Sequence, residues 1–207
     1  ISKPYIDITL KLLEIFGIHY KNSNWQSFKL NRESNYKSPG EILVEGDASS
    51  ASYFFAAAAI LGQIEVSGIN VNSIQGDLKF LKVIKKMGAN IEYLENSVKV
   101  TYKDKLKGLD IDCKEIPDAA MTLAVMAIFA KGRTVLRNIG SWRVKETDRI
   151  HAMESELKKL GAHVTSTINS ISISPPSVIS DNVVIDTYDD HRMAMCFALV
   201  TLANKTV

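Results

Sequence analysis

Two stretches of this chain repeat each other in spacing, and that repeat limits the possible folds more than any single motif does. Asp47 opens the run Asp-Ala-Ser-Ser-Ala-Ser-Tyr-Phe-Phe-Ala-Ala-Ala-Ala-Ile, and Asp118 opens Asp-Ala-Ala-Met-Thr-Leu-Ala-Val-Met-Ala-Ile-Phe-Ala. Each reads as an apolar, small-residue helix with a carboxylate at its start, where it can cap free backbone N–H groups. Gly62 and Gly132 follow as stops, and β-type runs come next at 64–66 and 134–136. Thirty residues after each Asp stands another, Asp77 and Asp148, and each begins an amphipathic pattern. Leu78, Leu81, Ile84 and Met87 share one face of the first; Ile150, Met153, Leu157 and Leu160 share one face of the second. Both patterns end in Gly-Ala, and alternating runs at 90–93 with 97–102, and at 163–167 with 170–174, predict a hairpin after each.

The unit is therefore buried helix, strand, amphipathic helix and hairpin, about 70 residues in all. Two units are complete, and a third opens at Asp190. The N-terminus carries the second half of an earlier unit: a helix over 7–17 with Ile8, Leu12 and Ile15 on its apolar face, then strand-like runs at 18–20 and 26–30. The polar piece 31–40, with Pro39-Gly40, predicts a loop near a domain boundary. Both ends fall inside units, the first residue is Ile1, and the last four are Asn-Lys-Thr-Val. The expectation is a piece of a longer protein.

Composition narrows the class. The 207 residues are 46% hydrophobic and 23% charged, an ordinary globular mix that excludes a disordered chain. Twenty-five basic against 23 acidic residues leave +2, too little to argue for nucleic acid or a membrane surface. The longest apolar runs, near 51–61, 119–130 and 193–203, fall well short of the ~20 residues a spanning helix needs. Cys113 and Cys196 stand outside any metal-ligand spacing, which argues against zinc, and as two lone thiols they suit a reducing compartment.

Three segments concentrate polar chemistry at predicted helix starts. In Ile116-Pro117-Asp118-Ala119-Ala120, Asp118 reads either as a plain N-cap or as a general base partly desolvated by its apolar helix. In Trp142-Arg143-Val144-Lys145-Glu146-Thr147-Asp148-Arg149, a helical course would put Lys145 and Arg149 on one face. Two cations and a helix N-terminus suit a phosphate or carboxylate, although a solvated, ion-paired helix start explains the segment equally well; Trp142 reads as packing. In Tyr188-Asp189-Asp190-His191-Arg192-Met193, His191 reads as a structural hydrogen-bonder, and Arg192 suits bidentate contact with a carboxylate. No phosphate-binding glycine loop and no nucleophilic Ser or Cys context appears. The implied chemistry is anion binding with acid–base groups, and neither a metal nor a cofactor.

At these residues the chain resembles the 5-enolpyruvylshikimate-3-phosphate synthases. The resemblance runs from Ser2 to at least Leu199. It rests on Ser2-Lys3-Pro4-Tyr5, Glu45 through Ala51, Pro117 through Thr122, Trp142 through Arg149, and Asp190 through Ala194. It implies an α/β (α+β) fold of repeated βαβαββ units in two domains, with residues 1–44 ending the first and 45–207 forming most of the second. The implied reaction moves the enolpyruvyl group of phosphoenolpyruvate onto the 5-hydroxyl of shikimate 3-phosphate and releases phosphate, in the cytoplasm and by a monomeric enzyme. By motif, Asp118 would take the hydroxyl proton, Glu146 would serve the methylene carbon, and Lys145 would touch both substrates. Arg149 and Arg192 would hold the phosphoenolpyruvate carboxylate, Ser2 and Ser141 would meet shikimate 3-phosphate, and His191 would stand nearby. Ser141 replaces the Asn that bacterial members often carry, and its hydroxyl can still donate one hydrogen bond. The family's Lys-Ser-x-x-x-Arg segment, Ser-Ser-Gln strip, second phosphoenolpyruvate arginine and late lysine have no counterpart here, so the chain alone is expected to be inactive. The rival readings are an enolpyruvyl transferase acting on a UDP-sugar and a non-catalytic ligand-binding module.

Overall fold

The structure is a computed structural model and describes residues 3–70 and 72–207. The second repeat is a full βαβαββ unit. Strand β6 (Asp110–Asp112) leads to helix α4 (Ala119–Met126), strand β7 (Thr134–Arg137), helix α5 (Arg149–Lys159), and the hairpin β8 (His163–Ser166) and β9 (Ser170–Ser174). These strands form one sheet in the order β6-β7-β9-β8, with β6 parallel to β7 and the other pairs antiparallel. Strand β6 is the opening strand that the βαβαββ resemblance implies, although periodicity does not show it: three residues of Asp-Ile-Asp are too few.

The first repeat has the same order without the opening strand. Helix α2 (Ala48–Ile60) is followed by β3 (Gln63–Ser67), α3 (Phe80–Met87), β4 (Asn90–Tyr93) and β5 (Ser97–Thr101), in the sheet order β3-β5-β4. Residues 41–47 form no strand, and Gly46 N donates to Gly68 O, just past the end of β3, at 2.9 Å. Asp77 does not start α3 as expected. It lies inside a 3₁₀ turn, Gly76–Lys79, ahead of the helix. The third repeat opens with helix α6 (His191–Phe197), which tightens to 3₁₀ over Ala198–Ala203.

Helix α4 is buried on every side and α2 on nearly every side, as their unbroken apolar patterns require. They pack on each other through small side chains, and the buried hydroxyls of Ser52 and Thr122 meet at 2.8 Å between them. The amphipathic helices bury the predicted faces: Leu81, Ile84 and Met87 on α3, and Ile150, Met153 and Leu157 on α5, with Leu160 just beyond it. Each such side chain contributes about 1.5–3 kcal/mol of burial. Val98 and Val100 on β5, and Ile171 and Ile173 on β9, complete the core from the sheets.

Helix α1 (Lys3–Ile15) departs from expectation. Leu10 is its buried residue, while Leu12 and Ile15 of the predicted apolar face are 39% and 46% exposed. The hairpin that follows, β1 (Tyr20–Ser23) and β2 (Ser27–Leu30), pairs only with itself and is mostly exposed, so it presents no sheet face to cover them. The start of α1 instead meets the first repeat. A Cβ added at Gly76 would sit 2.6 Å from Pro4 Cβ and 2.7 Å from the Glu115 carbonyl oxygen.

Candidate active site

Asp118 stands at the first turn of α4 but does not cap it. Its backbone is already helical (φ −85°, ψ −42°), and its side chain makes no hydrogen bond to the turn. The carboxylate faces three cations from three later elements. Oδ1 lies 3.1 Å from Arg149 Nη1 and 3.4 Å from Lys145 Nζ, and Oδ2 lies 3.1 Å from Arg192 Nη2. The plain N-cap alternative is thereby excluded. Burial works against a charge on Asp118, but Arg192, the Tyr5 hydroxyl, Lys145 and Arg149 outweigh it and hold its pKa below the ordinary aspartate value.

The other two helix starts keep their caps. Asp148 accepts from His151 N at the head of α5, and Asp190 accepts from Arg192 N at the head of α6. Asp190 also accepts from Arg149 Nε at 2.7 Å and from Nη2 at 3.3 Å. Arg149 is fully buried, and its Nη2 reaches Glu146 Oε2 at 2.5 Å. Every nitrogen of its guanidinium is therefore spent on Asp118, Glu146 or Asp190. Such a charge is tolerable only because it is fully paired. Arg192 is held less completely, by Asp118 and by the Tyr53 hydroxyl at 3.3 Å.

Lys145 and Arg149 do meet at one carboxylate, though not as helix neighbours. A 3₁₀ turn over Gly140–Val144 ends at Lys145, which is extended, and α5 begins only at Arg149. Lys145 Nζ also lies 5.3 Å from the centre of the Tyr5 ring. Trp142 does more than pack. It is buried, and its Nε1 donates to Pro117 O at 2.6 Å, which ties the approach to Asp118 onto the Lys145 segment.

The remaining predicted residues lie further out. Ser141 lines a 430 Å³ cleft with Asp112, Lys114, Pro117 and Asn138. His191 is largely exposed, with Nδ1 3.9 Å from Asp190 Oδ1. Ser2 lies outside the described residues. Tyr5, Tyr53, Ser49 and Asp77 join the site without having been singled out, since their contacts cross between elements far apart in sequence. For Asp77 a signal existed, the thirty-residue spacing that it shares with Asp148.

The cluster sets Lys145, Arg149 and Arg192 against Asp118, Glu146 and Asp190. It holds anion-binding groups and acid–base groups together and leaves no cation in surplus. Among the described residues, no group of three or more His, Cys, Asp or Glu side chains is placed to hold a metal ion, and no helix is long and apolar enough to cross a membrane.

The family model described as EPSP synthase (3-phosphoshikimate 1-carboxyvinyltransferase) matches residues 1–207. The chain is 53% identical over 208 residues to a 3-phosphoshikimate 1-carboxyvinyltransferase of Pseudoalteromonas translucida, covering 100% of this chain and 48% of the relative. Among solved structures, the EPSP synthase of Acinetobacter baumannii superposes with a TM-score of 0.78 at 27% identity, covering 95% of this chain and 48% of that one. The enolpyruvyl transferase NikO of Streptomyces tendae, at 15% identity and a TM-score of 0.73 over 97% of this chain and 47% of its own, shares the fold. The chain spans about half the length of the curated relatives it matches.

Proposed function

The chain belongs to the EPSP synthase family, and from that premise we propose that it supplies the acid–base part of an enzyme that joins phosphoenolpyruvate to shikimate 3-phosphate. The observation that carries this reading is Asp118 turned away from its own helix and held by Lys145, Arg149 and Arg192 beside Glu146. Asp118 takes the proton of the substrate 5-hydroxyl as its oxygen attacks C2 of phosphoenolpyruvate, and Glu146 delivers a proton to C3. The tetrahedral intermediate then loses phosphate, with a C3 proton returning to Glu146. Positioned proton transfer of this kind contributes about 10²- to 10⁴-fold each. Lys145 meets the anionic groups of both substrates. Arg192, the more loosely held arginine, takes the phosphoenolpyruvate carboxylate, with Arg149 behind it. Ser141 and Ser2 contact shikimate 3-phosphate, and His191 flanks the site.

In this reading residues 1–44 complete one domain and 45–207 form most of the other. The work is done in the cytoplasm, where the buried free thiols of Cys113 and Cys196 remain reduced. The 207 residues alone do not turn over, because three carboxylates balance the three cations and the family's further cationic groups, the Lys-Ser-x-x-x-Arg segment, the second phosphoenolpyruvate arginine and the late lysine, have no counterpart in the chain. A phosphate-release assay on the isolated chain with both substrates should show no turnover. Mixed with the other half of the Pseudoalteromonas translucida relative, it should show turnover, which Asp118→Asn lowers at least 10²-fold. Turnover that survives Asp118→Asn unchanged overturns the assignment of the base. Calorimetric titration with shikimate 3-phosphate should show weak binding by the chain alone; tight binding would favour a self-sufficient ligand-binding module.

A further inference from the structure

Asp77 is a buried carboxyl to which the proposed reaction gives no task. It is 4% exposed, and it sits where three elements converge. Its Oδ2 accepts from Ser49 Oγ in the first turn of α2 at 2.5 Å and from the Tyr5 hydroxyl of α1 at 3.3 Å. Its Oδ1 faces Ala119 N, the first free amide of α4, at a long 3.5 Å. That amide belongs to the turn which Asp118 leaves uncapped. A helix start without an acceptor is costly, and replacing a capping side chain by Ala typically costs ~1 kcal/mol.

We propose that Asp77 is the positioning residue for Asp118: by standing in as acceptor at the head of α4 and fixing Tyr5 beside it, Asp77 keeps the Asp118 carboxylate turned outward to Lys145, Arg149 and Arg192. The inference rests on Asp118 being the base, but the placement it explains exists in the free protein. The groups facing Asp118 are Tyr5 from α1, Asp77 from the 3₁₀ turn, Lys145 from the loop before α5, Arg149 from α5 and Arg192 from α6. Asp77 and Asp118 are driven apart. Burial raises the pKa of Asp77, and the nearby Asp118 charge adds to that rise, while the cations depress the pKa of Asp118.

The test is a ¹³C-carboxyl NMR titration of Asp118 in the isolated chain, read with the Nε–H signals of Arg149 and Arg192 and with the exchange rate of the Ala119 amide. In the unaltered protein Asp118 titrates below the ordinary aspartate range. In Asp77→Ala, Asp118 swings in to cap α4, so its midpoint rises, the Arg192 signal shifts and Ala119 exchange changes. Removing a neighbouring negative charge and doing nothing else would lower that midpoint, so the direction separates positioning from simple repulsion. Asp77→Asn keeps an acceptor for Ala119 and should restore the placement. Ser49→Ala, which leaves every charge in place, should shift the Arg192 signal in the same direction as Asp77→Ala, by less, and serves if Asp77→Ala does not fold. A lowered or unchanged Asp118 midpoint in Asp77→Ala, or an unmoved Arg192 signal in Ser49→Ala, overturns the proposal. The result is independent of turnover, so a failed reconstitution of activity and a failed positioning role remain distinguishable.

Discussion

Asp47 and Asp118 hold the same place in two copies of one structural unit, and so do Asp77 and Asp148. In the first unit Asp47 caps its helix, accepting from Ser49 N and Ser50 N, and in the second Asp148 caps α5 by accepting from His151 N. The other two carboxylates have left their caps. Asp118 turns to the cations, and Asp77 moves into a 3₁₀ turn and faces the helix that Asp118 abandoned. The residue after each second Asp differs as well, Leu78 in the first unit and Arg149 in the second. Thus each unit keeps one cap and gives up the other: the second concentrates charge around the carboxylate that left its cap, and the first supplies the carboxyl that faces the uncapped helix. A repeat preserves a scaffold, and the chemistry lies where its copies have stopped matching.

The sharpest way to break this comparison is to make the second unit resemble the first. Arg149→Met leaves Asp118, Asp190 and Glu146 without their shared partner and should cost about 3–5 kcal/mol in urea denaturation. Leu78→Met should cost less than about 1.5 kcal/mol. Equal losses would show that the buried guanidinium is no more structural than the leucine.

Acid titration separates Asp77 from Asp118 and Asp190 by sign. Asp118 and Asp190 have folded pKa values below the ordinary 3.8, Asp190 because its hydrogen bond to Arg149 outweighs its burial. Their contribution is present above 3.8 and is lost as pH falls through the lower folded values. The folded pKa of Asp77 is raised, so its contribution runs the other way: it is fully present below 3.8 and is lost as pH rises through the folded value. The urea midpoint, followed from neutral pH down past 3.8, should therefore fall more gently in Asp118→Asn and more steeply in Asp77→Asn. Identical limbs would erase the distinction.

Smaller effects sharpen it. Trp142→Phe leaves the Pro117 carbonyl without its donor and should cost about 1–3 kcal/mol in the same assay. Asp47→Ala should cost about 1 kcal/mol and speed amide exchange at Ser49 and Ser50. Asp118→Ala should leave exchange at Ala120 and Met121 unchanged, because those amides bond to the carbonyls of Ile116 and Asp118 and not to its side chain. Faster exchange at both helix starts would mean that Asp118 also caps.

The elements that repeat were legible in the sequence because their causes are local. The periodicity of 78–87 and 150–160, the glycines at 62, 88, 132 and 161, and the alternation of the hairpins all act over a few residues. Of the cluster around Asp118, the members Lys145, Glu146, Arg149 and Arg192 were legible as residues, while their geometry was not. Lys145 reaches Asp118 from an extended segment and Arg149 reaches it from a helix, so no single period links them. That Asp118 gives up its cap depends on Asp77 and Arg192, 41 residues before it and 74 after it. The apolar face read on α1 is real as a pattern, but burial needs a partner surface, and the adjoining hairpin offers none.

The missing methyl group at Gly76 acts as a clearance in the machinist's sense. Its backbone lies outside the left-handed region, so conformation does not demand glycine there; space does. A Cβ would meet Pro4 on one side and the Glu115 carbonyl on the other, and Pro4 immediately precedes Tyr5. The fit of α1 against the two repeats is thus gauged at one point, one residue from Asp77. A shim the size of a methyl group would lift Tyr5 from Asp77 and from Lys145 together, and the Asp118 carboxylate would lose its alignment without any charged residue having been touched.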